Sequence, residues 1–158
     1  MLHPMSNEQY NVYSHMKEGK NVIVDACAGS GKSTTILSIA KEMETKKILQ
    51  FTYNSMLRHE IREKVQELEL ENLEVHTYHS FSVKYYSSQA HTDTGIRAFL
   101  RSKTSPRSPL NLYDLVVLDE CQDMTLLYFE MVATMIRDMC KATDHKIQLL
   151  ILGDYMQG

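Results

Sequence analysis

Residues 26–34, Ala26-Cys27-Ala28-Gly29-Ser30-Gly31-Lys32-Ser33-Thr34, decide the fold of this 158-residue chain. An apolar run, Val22-Ile23-Val24, precedes them, and apolar residues at helical spacing follow over residues 36–43. A strand, a loop of small residues ending in Lys-Ser and a helix form the layout of a P-loop. The start of a helix offers unpaired amide groups and the positive end of its dipole, so this stretch predicts a phosphate-binding site.

The chemistry expected of this loop is divided among its residues. The Lys32 ammonium is placed to reach the β- and γ-phosphates of a nucleoside triphosphate, and the Ser33 hydroxyl to bind Mg²⁺. The other phosphate-binding candidates are Ala28, Gly29, Ser30, Gly31 and Thr34. The general pattern has Gly where this chain has Ala26, which still lacks bulk. Taken alone, the stretch leaves an alternative, a glycine-containing turn between a strand and a helix that binds no ligand.

Apolar strands alternate with helical patterns along the chain. Ser6 and Gln9 have the spacing of a capping box, which predicts a first helix that Gly19 ends. Strands are expected at residues 21–26, 47–53, 73–77, 113–119 and 147–152. The continuously apolar residues 115–118 are typical of a strand covered on both faces. The pattern predicts an α/β fold, a three-layer P-loop NTPase domain with a mainly parallel sheet.

Polar residues follow the fourth and fifth predicted strands, where ligands of a parallel sheet bind. Asp119 and Glu120 form a Walker B arrangement, in which Asp119 holds Mg²⁺ through water and Glu120 deprotonates the attacking water. Gln157 is placed to sense the γ-phosphate as a neutral side chain. The alternatives are an acidic turn that opens a helix and, for Gln157, an ordinary turn after a strand.

Charge and cysteine content narrow the class of protein. The net charge is −3, so the whole chain lacks the basic footprint of many nucleic-acid-binding proteins. Residues 82–112 contain five basic and one acidic side chain, a balance of +4 that fits either a solvated loop or one that faces nucleic acid. Three widely spaced cysteines without metal-binding spacing predict a reducing, intracellular compartment, nucleus or cytoplasm. Neither a secretory leader nor a membrane-spanning run is expected.

Several motifs in order resemble the first RecA-like domain of superfamily 1A helicases, the UvrD/Rep type. Ala26-x-x-Gly29-x-Gly31-Lys32-Ser33 resembles motif I, which tolerates Ala at its first position. Asp119-Glu120-x-Gln122-Asp123 resembles motif II, and Gly153-Asp154-x-x-Gln157 resembles motif III. Phe51-Thr52-Tyr53-Asn54 and Thr77-Tyr78-His79-Ser80-Phe81 are similar to motifs Ia and Ib.

The resemblance implies ATP-driven translocation on single-stranded DNA with strand separation, and ATP and Mg²⁺ as cofactors. RNA is not excluded, and a role in DNA repair is an analogy. Lys32, Glu120 and Gln157 would carry the catalysis, and Gln9 would contact adenine. The positions that the family uses to contact the strand are Phe51, Tyr53, Asn54, Tyr78, His79 and Ser80. For each of these six, ordinary packing is the alternative.

The resemblance covers residues 1–158 as one RecA-like domain, with the insertion before motif II reduced to about residues 87–112. The chain is expected to be truncated after motif III and to lack the second RecA-like domain, which carries the arginines that complete the ATP site. It is therefore expected to bind ATP and hydrolyse it weakly. Two alternatives stay open: a recombinase- or packaging-type ring ATPase, and a truncated, non-catalytic module that binds nucleotide or nucleic acid.

Overall fold

The computed structural model describes residues 2–25 and 31–154. Within these ranges the chain forms six α-helices, five strands and a short 3-10 helix. Their bounds are α1 Asn7–Lys17, β1 Val22–Asp25, α2 Lys32–Glu42, β2 Ile48–Thr52, α3 Ser55–Glu67, β3 Leu73–Thr77, α4 Tyr78–Tyr85, α5 Asp93–Arg101, β4 Leu115–Leu118, the 3-10 helix Cys121–Asp123, α6 Leu126–Ala142 and β5 Gln148–Gly153. Each of the five predicted strands is present within about three residues of its expected bounds.

The five strands form one sheet in the order β1-β5-β4-β2-β3, and all four neighbouring pairs are parallel. The predicted α/β class with a parallel sheet is therefore confirmed. Since every strand runs in the same direction, all the carboxyl ends lie at one edge of the sheet. Strands β1, β5 and β4 are consecutive neighbours, so Asp25, Gly153 and Leu118 end side by side at that edge.

Helices cover both faces of the sheet and create two hydrophobic clusters. On one face, buried residues of α2 and α3 such as Ile39 and Ile61 pack with Val117 of β4. On the other, Phe81 of α4 and Met135 of α6 pack with Val116. All five residues of β2 are buried, as expected of a strand enclosed between two helical layers.

Helix boundaries follow local capping interactions. The Ser6 hydroxyl accepts a bond from the Gln9 amide, and the Gln9 side chain accepts one from the Ser6 amide, so the predicted capping box is confirmed. Gly19 follows the end of α1 with a φ of +84°, a conformation that glycine adopts at little cost. Helix α5 begins at Asp93, where the Thr92 hydroxyl caps it by accepting from the Gly95 amide.

Helix α6 spans 17 residues, and its buried side chains include Met131, Val132, Met135 and Met139. Those residues recur at helical spacing and face the sheet. Its other side is polar or exposed. Across the described ranges, no helix combines the length and apolar content needed to cross a membrane.

The end of α2 is fixed by one buried side chain. The Asn72 amide nitrogen donates to the carbonyl oxygens of Ala40, Met43 and Lys46 at 2.9, 3.1 and 3.0 Å. The last carbonyls of a helix have no partner within it, and here a side chain from the loop before β3 satisfies them. This contact holds the end of the helix whose first residue is Lys32.

The segment that leads into β4 is tied to β3 through Glu74. The Asn111 amide nitrogen donates to one Glu74 carboxylate oxygen at 2.8 Å, and the Tyr113 hydroxyl donates to the other at 2.6 Å. His76 lies 3.5 Å from the second oxygen. The hydrogen bonds from His76, Tyr113 and Asn111 lower the pKa of Glu74 to about 2, although partial burial opposes them.

We expect Glu74→Gln to destabilise the domain near neutral pH by about 1 kcal/mol, because neutral Gln is a weaker acceptor than the carboxylate at this half-exposed position. A lowered pKa stabilises the fold above the ordinary Glu value of 4.5, and that stabilisation is lost as the pH falls through about 2. Urea denaturation of variant and wild type, near pH 7 and near pH 3, measures the difference. The difference in free energy of unfolding between wild type and Glu74→Gln is expected to be smaller near pH 3 than near pH 7.

Glu71→Gln is the matched control, since Glu71 is an exposed carboxylate just before the same strand. This control variant should match the wild type at both pH values. A Glu74→Gln deficit of equal size at both pH values would contradict the assigned role of the carboxylate.

Candidate active site

The start of α2 is built around Gly31. Its φ of +84° lies in the left-handed region, which an L side chain adopts only with strain. Its carbonyl oxygen accepts from the Thr35 hydroxyl at 2.9 Å and from the Gln9 side-chain nitrogen at 3.4 Å. The left-handed residue turns the chain directly into α2, so the first amides of that helix lie at the carboxyl edge of the sheet.

A close contact joins α2 to the residue after β4. The Lys32 ammonium lies 3.4 Å from a carboxylate oxygen of Asp119, across 87 positions of sequence. Asp119 is 3% exposed, and a buried carboxylate needs a cation or hydrogen-bond donors to remain ionised. The structure thus brings together the cation predicted to bind phosphate and the carboxylate predicted to bind Mg²⁺.

Glu120 is held in a conformation that few non-glycine residues adopt, with a φ of +58°. Its amide donates to the Asp119 carboxylate at 2.8 Å, which stabilises this turn. Burial raises the pKa of Glu120, the Asp119 charge raises it further, and Lys32 and the Thr52 hydroxyl act in the opposite direction. A carboxylate with a raised pKa is a stronger base, as a residue that removes a proton from water requires.

Gln122 connects the ends of β4 and β5. Its side-chain oxygen accepts from the Asp154 amide at 3.0 Å, and Asp154 itself is buried. The sequence predicts Gln122 as a mark of the helicase class rather than as a site residue. The geometry shows that it holds the backbone at Asp154, directly after β5.

Some of the predicted phosphate and catalytic residues lie outside the described residues: Ala28, Gly29, Ser30 and Gln157. Ser33 and Thr34 follow Lys32 in the first turn of α2 and are half-buried. Gln9 lies beside this turn, with its side chain bonded to Ser6 and to Gly31. Its contact with adenine stays a prediction.

The oxygen donors near Lys32 fit the expected Mg²⁺ ion. The described residues contain no cluster of three or more His, Cys, Asp or Glu side chains. Mg²⁺ differs from zinc or calcium in this respect, because it binds through one or two protein oxygens, substrate phosphates and several waters. Asp119 and the Ser33 hydroxyl on the adjoining helix turn are oxygen donors of that kind, so the residues present fit the ion.

Two of the six predicted strand-contacting residues are part of the hydrophobic core. Phe51 and Tyr78 are fully buried, and their rings stack with centroids 5.2 Å apart. The Tyr78 hydroxyl donates to the Asp119 carbonyl oxygen at 2.9 Å. The prediction that these side chains contact nucleic acid is therefore wrong, because neither is accessible. Both support the backbone at Asp119 instead.

Two others act as helix caps. The Asn54 side-chain oxygen accepts from the amides of Met56 and Leu57 at the start of α3. Ser80 shares a capping box with Thr77 at the start of α4. Asn54 is exposed and Ser80 half-buried, so a role in contacting nucleic acid stays a prediction for both.

Tyr53, His79 and Tyr128 form a half-buried group that we term the aromatic cluster. The rings of Tyr53 and Tyr128 stack with centroids 5.7 Å apart and an interplanar angle of 21°. The Tyr128 hydroxyl is hydrogen-bonded to the Nε2 atom of His79, and burial lowers the pKa of His79. The sequence does not predict Tyr128, because one aromatic residue in a helical pattern looks like any core position.

Comparison with known proteins identifies the family. A family model described as an AAA domain, AAA_19, matches residues 9–158. The chain belongs to this family. The resemblance to the UvrD/Rep-type helicase ATPase domain is thereby confirmed, and the chain is a helicase-like P-loop ATPase domain. None of the curated protein sequences compared with the chain matches it.

Solved structures share the fold at low sequence identity. The Escherichia coli DEAH/RHA helicase HrpB is 17% identical with a TM-score of 0.59, and the match covers 95% of this chain and 19% of that one. A hypothetical ATP-dependent RNA helicase from Sulfolobus tokodaii is 16% identical with a TM-score of 0.53, and the match covers 97% of this chain and 47% of that one. A Sulfolobus solfataricus SWI2/SNF2 ATPase core in complex with dsDNA is 14% identical with a TM-score of 0.55, and the match covers 96% of this chain and 32% of that one. The chain thus spans less than half the length of each of these three.

We expect a non-hydrolysable ATP analogue with Mg²⁺ to raise the melting temperature of the wild-type domain. The Lys32→Ala variant should show no such rise, because it lacks the ammonium that is predicted to bind the phosphates. In a domain of this size, a shift of about 2–4 °C corresponds to about 1 kcal/mol of stabilisation by the bound ligand. Differential scanning fluorimetry measures it.

Lys41→Ala serves as the control, since Lys41 lies exposed in the last turn of the same helix. Its ligand-induced shift should equal that of the wild type. An unshifted wild type, or equal shifts in wild type and Lys32→Ala, would refute the phosphate site.

Proposed function

We propose that this chain is the ATP-binding domain of a helicase or translocase that moves on single-stranded DNA. The contact between Lys32 and Asp119 carries the proposal, because it joins the cation predicted to bind phosphate to the carboxylate predicted to bind Mg²⁺, at the edge where parallel sheets bind ligands. Membership of the AAA_19 family supports the ATPase part. The aromatic cluster on the same edge supports the nucleic-acid part.

The residues around α2 and β4 would share the work of phosphoryl transfer. Lys32 would neutralise charge on the β- and γ-phosphates, and Ser33 and Asp119 would hold Mg²⁺. The bound ion offsets the negative charge that develops on the phosphates. Glu120 would accept the proton of the attacking water, which its raised pKa favours. Gln9 and Gln157 would contact the adenine and the γ-phosphate.

The aromatic cluster is proposed as the surface on which bases stack. Stacking on tyrosine or histidine is independent of sequence, as translocation requires, because every base has an aromatic face. The rings of Tyr53 and Tyr78 also pack together with centroids 4.6 Å apart, and the Tyr78 hydroxyl donates to the Asp119 carbonyl oxygen. Two contacts therefore connect the proposed stacking surface to the metal-binding residue.

We infer that a second RecA-like domain completes the ATP site. Arginines supplied opposite a bound nucleotide accelerate phosphoryl transfer by about 10³–10⁵ in related systems. The first domain alone is then expected to bind ATP and to hydrolyse it slowly. RNA stays the alternative strand, because the described relatives include an RNA helicase and the stacking surface does not discriminate between the sugars.

We expect Tyr128→Ala to weaken binding of a fluorescent oligothymidylate by about tenfold, since a lost stacking contact costs about 1–3 kcal/mol. Tyr128→Phe keeps the ring and should bind nearly as well as the wild type. Fluorescence anisotropy at a fixed, low salt concentration measures both, and an oligouridylate of equal length compares RNA with DNA.

Tyr10→Ala is the control, because Tyr10 is an exposed tyrosine on α1, in the layer on the opposite face of the sheet. Its affinity should equal that of the wild type. Equal losses in Tyr10→Ala and Tyr128→Ala, or the same affinity in Tyr128→Ala as in the wild type, would rule out the aromatic cluster as the binding surface.

A further inference from the structure

A positively charged groove lies between α6 and the loop after α5, away from the residues discussed so far. It has a volume of about 420 Å³, and its lining includes Lys103, Ser105, Arg137, Asp138 and Lys141. Three cations and one carboxylate give this lining a charge of +2 on a chain whose net charge is −3. The groove therefore offers a local environment that favours an anion.

The cations of this groove are not neutralised by neighbouring acids. Within residues 2–25 and 31–154, Lys103, Arg137 and Lys141 form no ion pair. Arg137 donates only a long bond of 3.5 Å to the Thr134 hydroxyl in that part of the chain. The one acid, Asp138, accepts from the buried Tyr86 hydroxyl at 2.8 Å. The three cations are thus available to a ligand.

The loop that closes the groove has an unusual sequence, Lys103-Thr104-Ser105-Pro106-Arg107-Ser108-Pro109. Two of the three prolines of the chain follow serines here. Both Ser105 and Ser108 are exposed and lie outside helix and strand. A proline restricts the residue before it to extended conformations, in which a hydroxyl is accessible to an enzyme that binds an extended segment.

The loop is anchored in its middle, which fixes Ser105 beside α6. The Arg107 amide donates to the Tyr85 carbonyl oxygen at 2.7 Å, and its guanidinium group donates to the carbonyl oxygens of Val83 and Lys84. Ser105 lines the groove together with Lys103 and Arg137. Ser108 lines only an adjoining cavity of about 520 Å³, which it shares with Lys141 and Asp138.

We propose that Ser105 is a phosphorylation site for a proline-directed protein kinase, and that Lys103, Arg137 and Lys141 bind the phosphate it receives. The Ser105 hydroxyl oxygen attacks the γ-phosphorus of the ATP bound to the kinase. The new oxygen–phosphorus bond replaces the bond to ADP, which leaves, and the hydroxyl proton passes to the kinase and then to solvent. The modification adds a charge of about −1.5 to −2 among these three cations.

Capture of the phosphate would attach the loop to the C-terminal half of α6. Charge-assisted bonds between phosphate and Lys or Arg are stronger than neutral ones, and a phosphoserine can form one to three of them. Phosphorylation at this position would thereby change the surface from cationic to nearly neutral. The inference does not depend on the function proposed above, since neither the ATP site nor the aromatic cluster takes part.

The test treats the intact domain with a proline-directed kinase and ATP and locates the phosphate by mass spectrometry, with Ser105→Ala and Ser108→Ala as matched variants that isolate each serine. The ³¹P NMR titration of phosphoserine 105 is expected to give a second pKa about half a pH unit below its usual value of about 6, because three cations favour the dianion. Lys141→Gln should reverse most of this change. The second pKa of phosphoserine 108 should lie closer to the usual value than that of phosphoserine 105.

Two results would overturn the proposal. One is the absence of phosphate on Ser105 in the folded domain when a peptide of residues 100–112 is modified by the same kinase. The other is a second pKa of phosphoserine 105 that equals the value in the phosphorylated peptide and does not change in Lys141→Gln.

Discussion

The contact between the Lys32 ammonium and the buried Asp119 carboxylate is the interaction on which the site depends. It exists because β1 and β4 are both neighbours of β5, which places the residues that follow them at one edge of the sheet. Gly31 turns the chain into α2, Asn72 fixes the far end of that helix, and Tyr78 supports the backbone of Asp119 from the core.

Much of the fold is encoded locally and can be predicted from the sequence. Apolar runs that alternate with helical patterns identify the five strands, and the spacing of Ser6 and Gln9 identifies the capping box at the start of α1. The sequence places Lys32 after one predicted strand and Asp119 after another, but their contact depends on the strand order, which only the structure shows. The start of α5 is hard to predict from the sequence, since it depends on a single Thr92 cap and on Gly95 packing against the Gln89 backbone.

Burial explains where prediction of the site failed. Phe51 and Tyr78 lie in motifs that resemble those of strand-binding helicases, yet both rings are enclosed by α4 and the sheet. A sequence pattern gives the position of a residue along the chain but not the depth of its side chain. Tyr128 shows the converse, because its importance comes from contacts with Tyr53 and His79, which are distant in sequence. Aromatic residues around a strand end thus divide into a buried support and an accessible surface.

We propose that Asp119 holds the Mg²⁺ of a bound nucleotide whose phosphates face Lys32. The most direct test is calorimetric titration of a non-hydrolysable ATP analogue into wild type and Asp119→Asn, each with and without Mg²⁺. We expect Mg²⁺ to tighten binding by the wild type about tenfold or more and to leave binding by Asp119→Asn nearly unchanged, since the variant lacks the carboxylate proposed to hold the ion. An equal gain from Mg²⁺ in both proteins would contradict the claim.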